Sequence, residues 1–404
     1  GGEASRDALA MAPPGGKAAV DVTIEQHQKR LKVQPDRLDS WVLLGRAWVR
    51  KARESGDPGY YVHADACADR ALALDPESGL AFGLRAQVRL NEHKFGEARG
   101  LAERVLAKRS DDLVALGVLS DAALEMGRHD EAVDAAQRMV DLKPNLPSLS
   151  RASYLRWLRG DVVGAKSAAL KAIDAGLDPR DPEPGAWMLV QAAMIFWHEG
   201  DVDGADAGFD RALSLFPDHP PALVGKGRVA LARGDARRAV EFFAKADKGS
   251  PLVETAWLLG EARSRAGDKA GADAAFAEVE RRGHLSDPRT LSLYLATKGR
   301  EPAEAVRLAE EEAKERGDVY THDALAWALL RAGRPREAKA ASDKALALGT
   351  QDPLLLYHAA AIAKALGDAG RSAKLAERAL SLNPHFDPAG GDDARALLAS
   401  ASPR

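Results

Sequence analysis

Few residues of this sequence have the types and spacing that metal chemistry needs. His63 and Cys67 stand one helical turn apart, so an imidazole and a thiol could face one metal ion from the same helix face. Two ligands do not complete a metal site, and Cys67 fits equally well as a small buried residue. The pair His198-Glu199 is explained by the polarity of a helix C-terminus before a turn. We therefore predict no metal site and no cofactor.

Catalytic and nucleotide-binding motifs are not found. The sequence contains no GxxxxGK[ST] loop, no HExxH and no GxSxG. Gly225-Lys226-Gly227 lies inside a helical pattern, whereas a phosphate-binding loop would need a strand before it and a helix start after it. We interpret these glycines as helix-packing residues and predict that the protein is not an enzyme.

Composition bounds the class of protein. The 404 residues are 46% hydrophobic, 29% charged and only 5% aromatic, which is typical of a water-soluble protein with a core of alanine and leucine. The net charge of −3 argues against a dedicated nucleic-acid surface. Cys67 is the single cysteine, which excludes an intramolecular disulfide framework. No run reaches the roughly 18 apolar residues of a membrane span.

The elements that would position any site are repeated helices. Residues 113–144 read as two amphipathic helices joined by a turn at Gly127-Arg128, and Pro144 ends the second helix. Equivalent positions recur every 34 residues, at Pro76, Ser110 and Pro144. A fixed period with this helix–turn–helix pattern indicates a solenoid built of stacked repeats.

Trp41, Leu44, Gly45 and Trp48 follow a W-x2-L-G-x2-aromatic pattern, in which the chain resembles the tetratricopeptide repeat (TPR) family. The resemblance implies an all-α fold, an α-solenoid of about ten helix-turn-helix units that forms a right-handed superhelix. We predict the following boundaries: a flexible N-terminal linker at 1–20, a capping helix at 21–36, the TPR superhelix at 39–384, and a C-terminal capping helix and tail at 385–404.

The repeat pattern has a physical cause. Small residues such as Ala132 and Ala136 let two antiparallel helices approach closely. Glycine at the turn accepts the left-handed conformation that ends the first helix, and the aspartate that often follows can cap the second. Two departures from the 34-residue period, Lys51–Gly59 and Asp178–Pro184, are predicted to be inserted loops.

The N-terminal segment is rich in Gly, Ala and Pro, which is linker composition. Two interpretations remain open: a tether after a removed signal or a lipid-attachment cysteine upstream of Gly1, or a remnant of an expression clone. The C-terminal half, and the segment DPRDPEPGAWMLVQ, resemble bacterial TPR proteins of uncertain role, several of them similar to exported or lipid-anchored proteins. This resemblance implies a periplasmic or envelope-associated lipoprotein, with a cytoplasmic location as the alternative.

The family resemblance also implies a concave groove lined by the first helix of each unit. Carrying the groove positions along the repeats gives a set of aromatic and basic residues, the usual anchors of interfaces. The predicted partner-binding residues are Arg46, Arg50, Tyr154, Trp157, Met194, Trp197, Arg228, Trp257, Arg265, Trp327, Arg331, Tyr357 and Lys364. The alternative for each residue is that it packs between units.

One kind of TPR protein is disfavoured. Adaptors that clamp the C-terminal carboxylate of chaperones use Asn at a fixed groove position, and that position holds Arg46, Gln87 and Asp121 in the first three units. We predict instead a non-catalytic scaffold that binds proteins or peptides in the groove, as an accessory subunit of an envelope-associated complex, and that binds no nucleic acid. The alternatives are a ligand-binding or enzymatic protein with its site inside the superhelix, or a regulator that sequesters a peptide.

Overall fold

The computed structural model describes residues 2–400, which form 23 α-helices and no β-strand. Helices α3 to α22 pair in chain order into ten antiparallel hairpins, the number that the repeat pattern predicted. In each hairpin we call the first helix A and the second helix B. The described part of the chain is therefore an all-α solenoid, and its three remaining helices, α1, α2 and α23, lie outside the repeats.

The chain divides into two compact units, Gly1–Leu142 and Lys143–Arg404, although residues 39–384 were predicted as one superhelix. The helices of unit 1 are α1 (Gly2–Ala10), α2 (Ala19–Val33), α3 (Leu38–Ser55), α4 (Tyr60–Leu74), α5 (Gly79–Asn91), α6 (Phe95–Lys108), α7 (Leu113–Glu125) and α8 (His129–Leu142). Those of unit 2 are α9 (Leu146–Leu158), α10 (Val162–Gly176), α11 (Pro182–His198), α12 (Val202–Leu215), α13 (Pro220–Ala232), α14 (Ala236–Gly249), α15 (Val253–Arg265), α16 (Lys269–Ser286), α17 (Pro288–Lys298), α18 (Pro302–Glu315), α19 (Val319–Arg331), α20 (Pro335–Leu346), α21 (Pro353–Ala365), α22 (Ala369–Leu382) and α23 (Gly390–Ser400).

The turn inside each hairpin has the geometry that the sequence predicted. Gly127 has a φ of 78°, and Arg128 N–H donates to the Ala123 carbonyl oxygen at 2.8 Å, which closes helix α7 with a left-handed C-cap. Positive φ recurs at the equivalent turn glycines Gly160, Gly200, Gly234, Gly267, Gly299, Gly333 and Gly367. In the α5–α6 hairpin His93 takes the left-handed position instead, with a φ of 61°.

Aspartates cap the B helices, also as predicted. The Asp161 carboxylate accepts from the Gly164 N–H at 2.8 Å, and this satisfies one of the unpaired amides at the start of α10. The same bond is made at the start of four further B helices by Asp201, Asp235, Asp268 and Asp368.

Small residues allow the helices to pack closely. A Cβ atom added at Gly225 would overlap the Phe209 ring, and one added at Gly227 would overlap the Phe243 ring. Both phenylalanines are fully buried. The Gly-x-Gly sequence in α13 therefore serves helix packing, as the sequence indicated, because each missing side chain makes room for a ring from a B helix.

The N-terminal segment differs from the predicted linker. Helix α1 packs on α4, and Ala10 is fully buried. The carbonyl oxygen of Ala10 accepts from Trp48 Nε1 at 3.1 Å and from Gln28 Nε2 at 3.3 Å, while His63 Nδ1 donates to the Leu9 carbonyl oxygen at 2.6 Å. Composition indicated a linker because it reflects only the local preference of Gly, Ala and Pro for flexible backbone. The hydrogen bonds that hold this segment come from residues far along the chain.

The two predicted insertions are loops only in part, because a neighbouring helix takes up some residues of each. Of the segment Lys51–Gly59, the first five residues extend α3 and only Gly56–Gly59 forms a turn. Lys51 is buried and pairs with Asp21 on α2, so the longer helix is fixed at its end. Of Asp178–Pro184, the last three residues begin α11, which is consistent with the preference of proline for the first turn of a helix.

Candidate functional site

The A helices of unit 2 meet segments that lie far away in sequence. Thr350 Oγ1 donates to the Leu158 carbonyl oxygen at 2.6 Å, and Asn383 Nδ2 donates to the Trp197 carbonyl oxygen at 2.7 Å. Thr350 is 1% exposed and Asn383 is fully buried. The last carbonyls of an α-helix have no partner within the helix, so these side chains complete the C-termini of α9 and α11.

Two turn glycines permit this approach. A Cβ atom at Gly160 would lie 2.6 Å from the Gly349 carbonyl oxygen, and one at Gly200 would overlap the carbonyl oxygen of Leu382. The B-helix ends of the ninth and tenth hairpins therefore press against the A–B turns of the fourth and fifth. We call these four contacts the closure of unit 2.

A cavity of about 240 Å³ lies beside the closure, on the face of α9 and α11. We call it the aromatic cavity. It brings together three predicted partner-binding residues, Tyr154, Trp157 and Met194. Its lining is completed by Ser150, Ser153, Trp187, Met188, Gln191, Ile195, His198 and Tyr320.

Rings stack along one wall of the aromatic cavity. The ring centroids of Tyr154 and Trp157 are 6.0 Å apart, and those of Trp157 and His198 are 4.8 Å apart. Trp157 is 4% exposed, so its indole is part of the wall. Tyr154 and Trp187 are 38% and 40% exposed, and they are the lining aromatics that a partner could contact from solvent.

Polar groups next to the cavity are mostly paired. The Tyr320 hydroxyl donates to the Asp352 carboxylate at 2.8 Å, and burial beside this carboxylate raises the pKa of Tyr320. Burial also lowers the pKa of His198, although Asp352 lies 3.9 Å from its Nδ1. Both rings are therefore neutral near pH 7. Within the described part of the chain, the Gln191 amide has no hydrogen-bond partner.

A second cavity, of about 140 Å³, holds three other predicted residues, Trp197, Arg228 and Arg265. We call it the arginine cavity. It is closed by the segment between α22 and α23 and by Arg395 of α23. Arg228 pairs with Glu254, and Trp197 is only 2% exposed. Arg265 is exposed and makes no ion pair with any described residue.

An acid lies in the wall of the arginine cavity. The Asp387 carboxylate accepts from the Gly390 N–H at 3.0 Å and from the Ala389 N–H at 3.3 Å. Burial raises the pKa of Asp387, and the nearby Arg228 works against that rise. The cavity thus combines cationic side chains with a carboxyl whose charge is disfavoured.

The predicted aromatics of the last hairpins pack inside the solenoid. Trp327 is 5% exposed and its Nε1 donates to Thr297 Oγ1 at 3.1 Å, while Tyr357 is 7% exposed and its hydroxyl donates to Asp393 at 3.1 Å. The Trp327 ring stacks on His358 with a centroid distance of 4.0 Å. These rings hold neighbouring helices together, which is the packing alternative left open for each of them.

The remaining predicted residues are dispersed. Trp257 is half-buried and donates to Glu261 at 3.1 Å, and Arg331 donates to the Ala296 carbonyl oxygen at 3.0 Å. Lys364 is exposed at the end of α21.

In unit 1, Arg50 pairs with Glu54 at 2.6 Å. Arg46 is half-buried, and its Nε atom has no hydrogen-bond partner. This burial lowers the pKa of the Arg46 guanidinium.

Eight of the eleven lining residues were not in the predicted set, among them Trp187, Met188, Gln191 and Tyr320. A signal for three of the eight was present in the sequence. Trp187, Gln191, Met194 and His198 are spaced by four, three and four residues, which places them on one helix face. Tyr320 gave no comparable signal, because it reaches the cavity from a hairpin far along the chain.

Comparisons with known proteins agree with this architecture. A model of the tetratricopeptide repeat family matches residues 84–147 and 190–252. A search of curated protein sequences finds no significant match.

Two solved structures show the same fold, and a third is a weaker match. The human IFIT1 dimer with m7Gppp-AAAA superposes with a TM-score of 0.51 at 13% identity, and the dimer with PPP-AAAA with a TM-score of 0.50 at 14% identity; each match covers 94% of both chains. A thermophilic TPR protein of Thermus thermophilus, TTC0263, matches with a TM-score of 0.40 at 18% identity, over 46% of this chain and 99% of that one.

No helix among residues 2–400 combines the length and the apolar character that crossing a membrane requires. What the described chain does show is one repeated hairpin with a small-residue interface, with a glycine turn in nine of the ten hairpins and an aspartate cap on the second helix in half of them. Together with the two segments that match the repeat family, these hairpins show that the chain contains tetratricopeptide repeats.

Proposed function

We propose that this TPR protein is a non-catalytic scaffold that binds a segment of a partner protein at the aromatic cavity of unit 2. The observation that carries the proposal is the cavity itself, with Tyr154 and Trp187 exposed beside it. A concave, mostly apolar space with a few polar groups in its wall is the usual form of a ligand or partner site.

The other predicted partner-binding residues favour the aromatic cavity over the rest of the predicted groove as the binding site. Trp157 and Met194 line the same cavity, whereas Trp327 and Tyr357 are occupied in packing. A partner segment that reached the cavity would contact α9 and α11, so specificity would come from the fourth and fifth hairpins. The known mode in which an extended or helical segment anchors apolar side chains in pockets fits this surface.

Selection of displayed random peptides on the purified protein tests the proposal. We expect peptides that bind wild type to lose binding to Trp187→Glu, because a carboxylate at the cavity opposes apolar burial. The matched control is Leu170→Glu on α10, a 58% exposed apolar residue that does not line the cavity. Peptides that bind both variants alike, or no enrichment at all, would contradict the proposal.

A nucleic acid with a 5′ phosphate is the second candidate ligand. The observation that favours it is the arginine cavity, where Arg265 has no ion-pair partner and Arg228 and Arg395 lie nearby. The human IFIT1 dimer was solved with PPP-AAAA, although at 14% identity that structure shows the fold alone. Fluorescence anisotropy with a 5′-triphosphate oligonucleotide checks it: binding should weaken with salt and with Arg265→Glu.

Association with the cell envelope completes the proposal. Its support is the similarity of the segment around Trp187 to bacterial TPR proteins that resemble exported or lipid-anchored proteins. Fractionation of cells that express the native gene tests it, with the protein expected in the periplasmic or membrane fraction and contradicted by recovery in the cytosol.

A further inference from the structure

The aromatic cavity offers more than an apolar surface, because its size, walls and polar group select among apolar ligands. An engineered cavity of roughly 150 Å³ holds one benzene ring. The aromatic cavity measures about 240 Å³, which is room for a fused two-ring system rather than a single ring.

The walls favour a flat ring. Trp157 and Trp187 line the cavity with indoles, and Met188 and Met194 line it with thioethers. Aromatic rings pair favourably with other rings in offset or edge arrangements, and thioether sulfur adds favourable contacts at a ring edge. A branched aliphatic side chain would gain burial here but none of these directional contacts.

The Gln191 amide, one of the polar groups that line the cavity, makes no hydrogen bond within the described part of the chain. Ser153 Oγ already donates to the Ala165 carbonyl oxygen at 2.8 Å, Ser150 Oγ to the Pro147 carbonyl oxygen at 3.1 Å, and the Tyr320 hydroxyl to Asp352. Gln191 has no partner among the described residues, so its amide oxygen can accept a hydrogen bond. An indole has one N–H donor and no acceptor, so it needs one acceptor in the wall, which the Gln191 amide oxygen can supply.

We propose that the aromatic cavity binds the indole of a tryptophan in the partner segment, with Gln191 accepting from the indole N–H. The inference rests on the proposed function, since it names the residue by which the partner is held. Met188 and Met194 contact the ring, and the exposed Trp187 covers it from the solvent side.

Methionine methyl NMR tests the proposal on the full chain. The protein has five methionines, Met11, Met126, Met139, Met188 and Met194, and methyl labelling gives each its own signal. Titration with N-acetyl-L-tryptophanamide should move the signals of Met188 and Met194 upfield and saturably, and leave the other three unchanged. N-acetyl-L-leucinamide should bind at least about tenfold more weakly, because it lacks the ring contacts and the donor.

Two variants separate the contributions. Gln191→Leu should weaken the tryptophanamide by about 2–10-fold, the cost of one neutral hydrogen bond. Met194→Trp should fill the cavity and abolish the methyl shift of Met188. Thermal unfolding of both variants verifies that they fold.

Equal binding of the leucine and tryptophan amides, or no methyl shift up to the solubility of the probe, overturns the inference. The peptide selection keeps this result distinct from the proposed function. Enriched peptides that lack tryptophan would support the scaffold function and contradict the indole anchor. Binding of the probe without any enriched peptide would support the indole site and contradict the scaffold function.

Discussion

Units 1 and 2 are built from the same hairpin, yet their side chains connect the chain over different ranges. In unit 1, Arg85 on α5 pairs with Asp65 on α4 at 3.1 Å, and Arg99 on α6 pairs with Glu131 on α8 at 2.8 Å. In unit 2, Asn383 reaches a carbonyl 186 residues away. The first kind of contact joins neighbouring hairpins, and the second joins hairpins five places apart.

This difference teaches how one repeat can give two kinds of domain. A solenoid held only by neighbour contacts behaves as a one-dimensional array, whose hairpins open almost independently. A contact between distant hairpins makes the opening of one depend on the other. We therefore expect unit 2 to unfold more cooperatively than unit 1. The closure should also stabilise the walls of the aromatic cavity, since the cavity lies beside it and Tyr320 of the ninth hairpin is one of the lining residues.

The largest effect is expected from Gly200→Ala, which would break the closure sterically. The new Cβ would overlap the Leu382 carbonyl oxygen, and the residue would keep a left-handed φ. We expect unit 2 to lose about 3 kcal/mol of unfolding free energy, as strain and lost contacts add. Urea unfolding measures it. The control is Gly234→Ala, with a φ of 79° and no atom near its Cβ, which should cost only about 1 kcal/mol. Equal costs would mean that the closure adds no stability.

Asn383→Ala should have the next largest effect. It removes two hydrogen bonds, one to the Trp197 carbonyl oxygen, which still accepts from the Gly200 N–H at 3.0 Å, and one from the His385 N–H to Asn383 Oδ1, at a cost of about 2 kcal/mol. Hydrogen exchange should rise in both α22 and the C-terminal end of α11. The matched variant in unit 1 is Ser120→Ala, which removes a bond from Ser120 Oγ to the Ala132 carbonyl oxygen at 2.9 Å. Its effect should stay within α7 and α8. A change confined to α22 in Asn383→Ala would contradict the comparison.

Acid should weaken unit 2 more than unit 1. Burial lowers the pKa of His219 in unit 2 from 6.5 to about 4. Between these values the unfolded state binds more protons, so stability is lost as the pH falls below 6.5, by up to about 1.4 kcal/mol per pH unit. In unit 1 the corresponding group is His27, whose pKa burial also lowers. Urea unfolding at pH 7 and pH 5 checks this, and His219→Gln should flatten the dependence while His27→Gln should change it less.

The smallest effect is expected in unit 1, from His93→Gly. His93 holds the left-handed turn position that glycine holds in other hairpins, with a φ of 61°. Glycine removes the Cβ strain there and should stabilise unit 1 by about 0.5–1 kcal/mol. Hydrogen exchange in α5 and α6 measures the gain, and His129→Gly, inside the first turn of α8, should destabilise instead. A loss of stability in His93→Gly would show that the stacking of His93 on Phe95 outweighs the strain.

Much of the hairpin could be predicted, because its causes are local. The 34-residue period, the turn glycine and the aspartate after it predicted α7 and α8 and their equivalents, and the structure confirms them. The sequence also placed Tyr154, Trp157 and Met194 on one face, and they line one cavity. The same reasoning treated Trp157 and Trp327 alike, although only Trp157 borders an unfilled space.

The errors share a cause as well. Residues 1–20 were predicted as a linker, and α1 is ordered by bonds to Trp48, Gln28 and His63. Lys51–Gly59 was predicted as a loop, and five of its nine residues are helix, in which Lys51 pairs with Asp21. In both cases the partner is a side chain far away in sequence, which bonds to a backbone carbonyl oxygen at the end of α1 or neutralises the charge of Lys51. Local composition gives no information about such partners.

The sequence by itself determined the repeat: helix lengths, turns, caps and the small residues between helices all follow from contacts within about 34 positions. Tertiary structure alone decided which groove aromatics are exposed, where the closure of unit 2 forms, and that Tyr320 lines the same cavity as Trp157. The reason is geometric. The position of one hairpin against another five places along depends on the sum of small rotations between neighbours, and no single residue pattern encodes that sum.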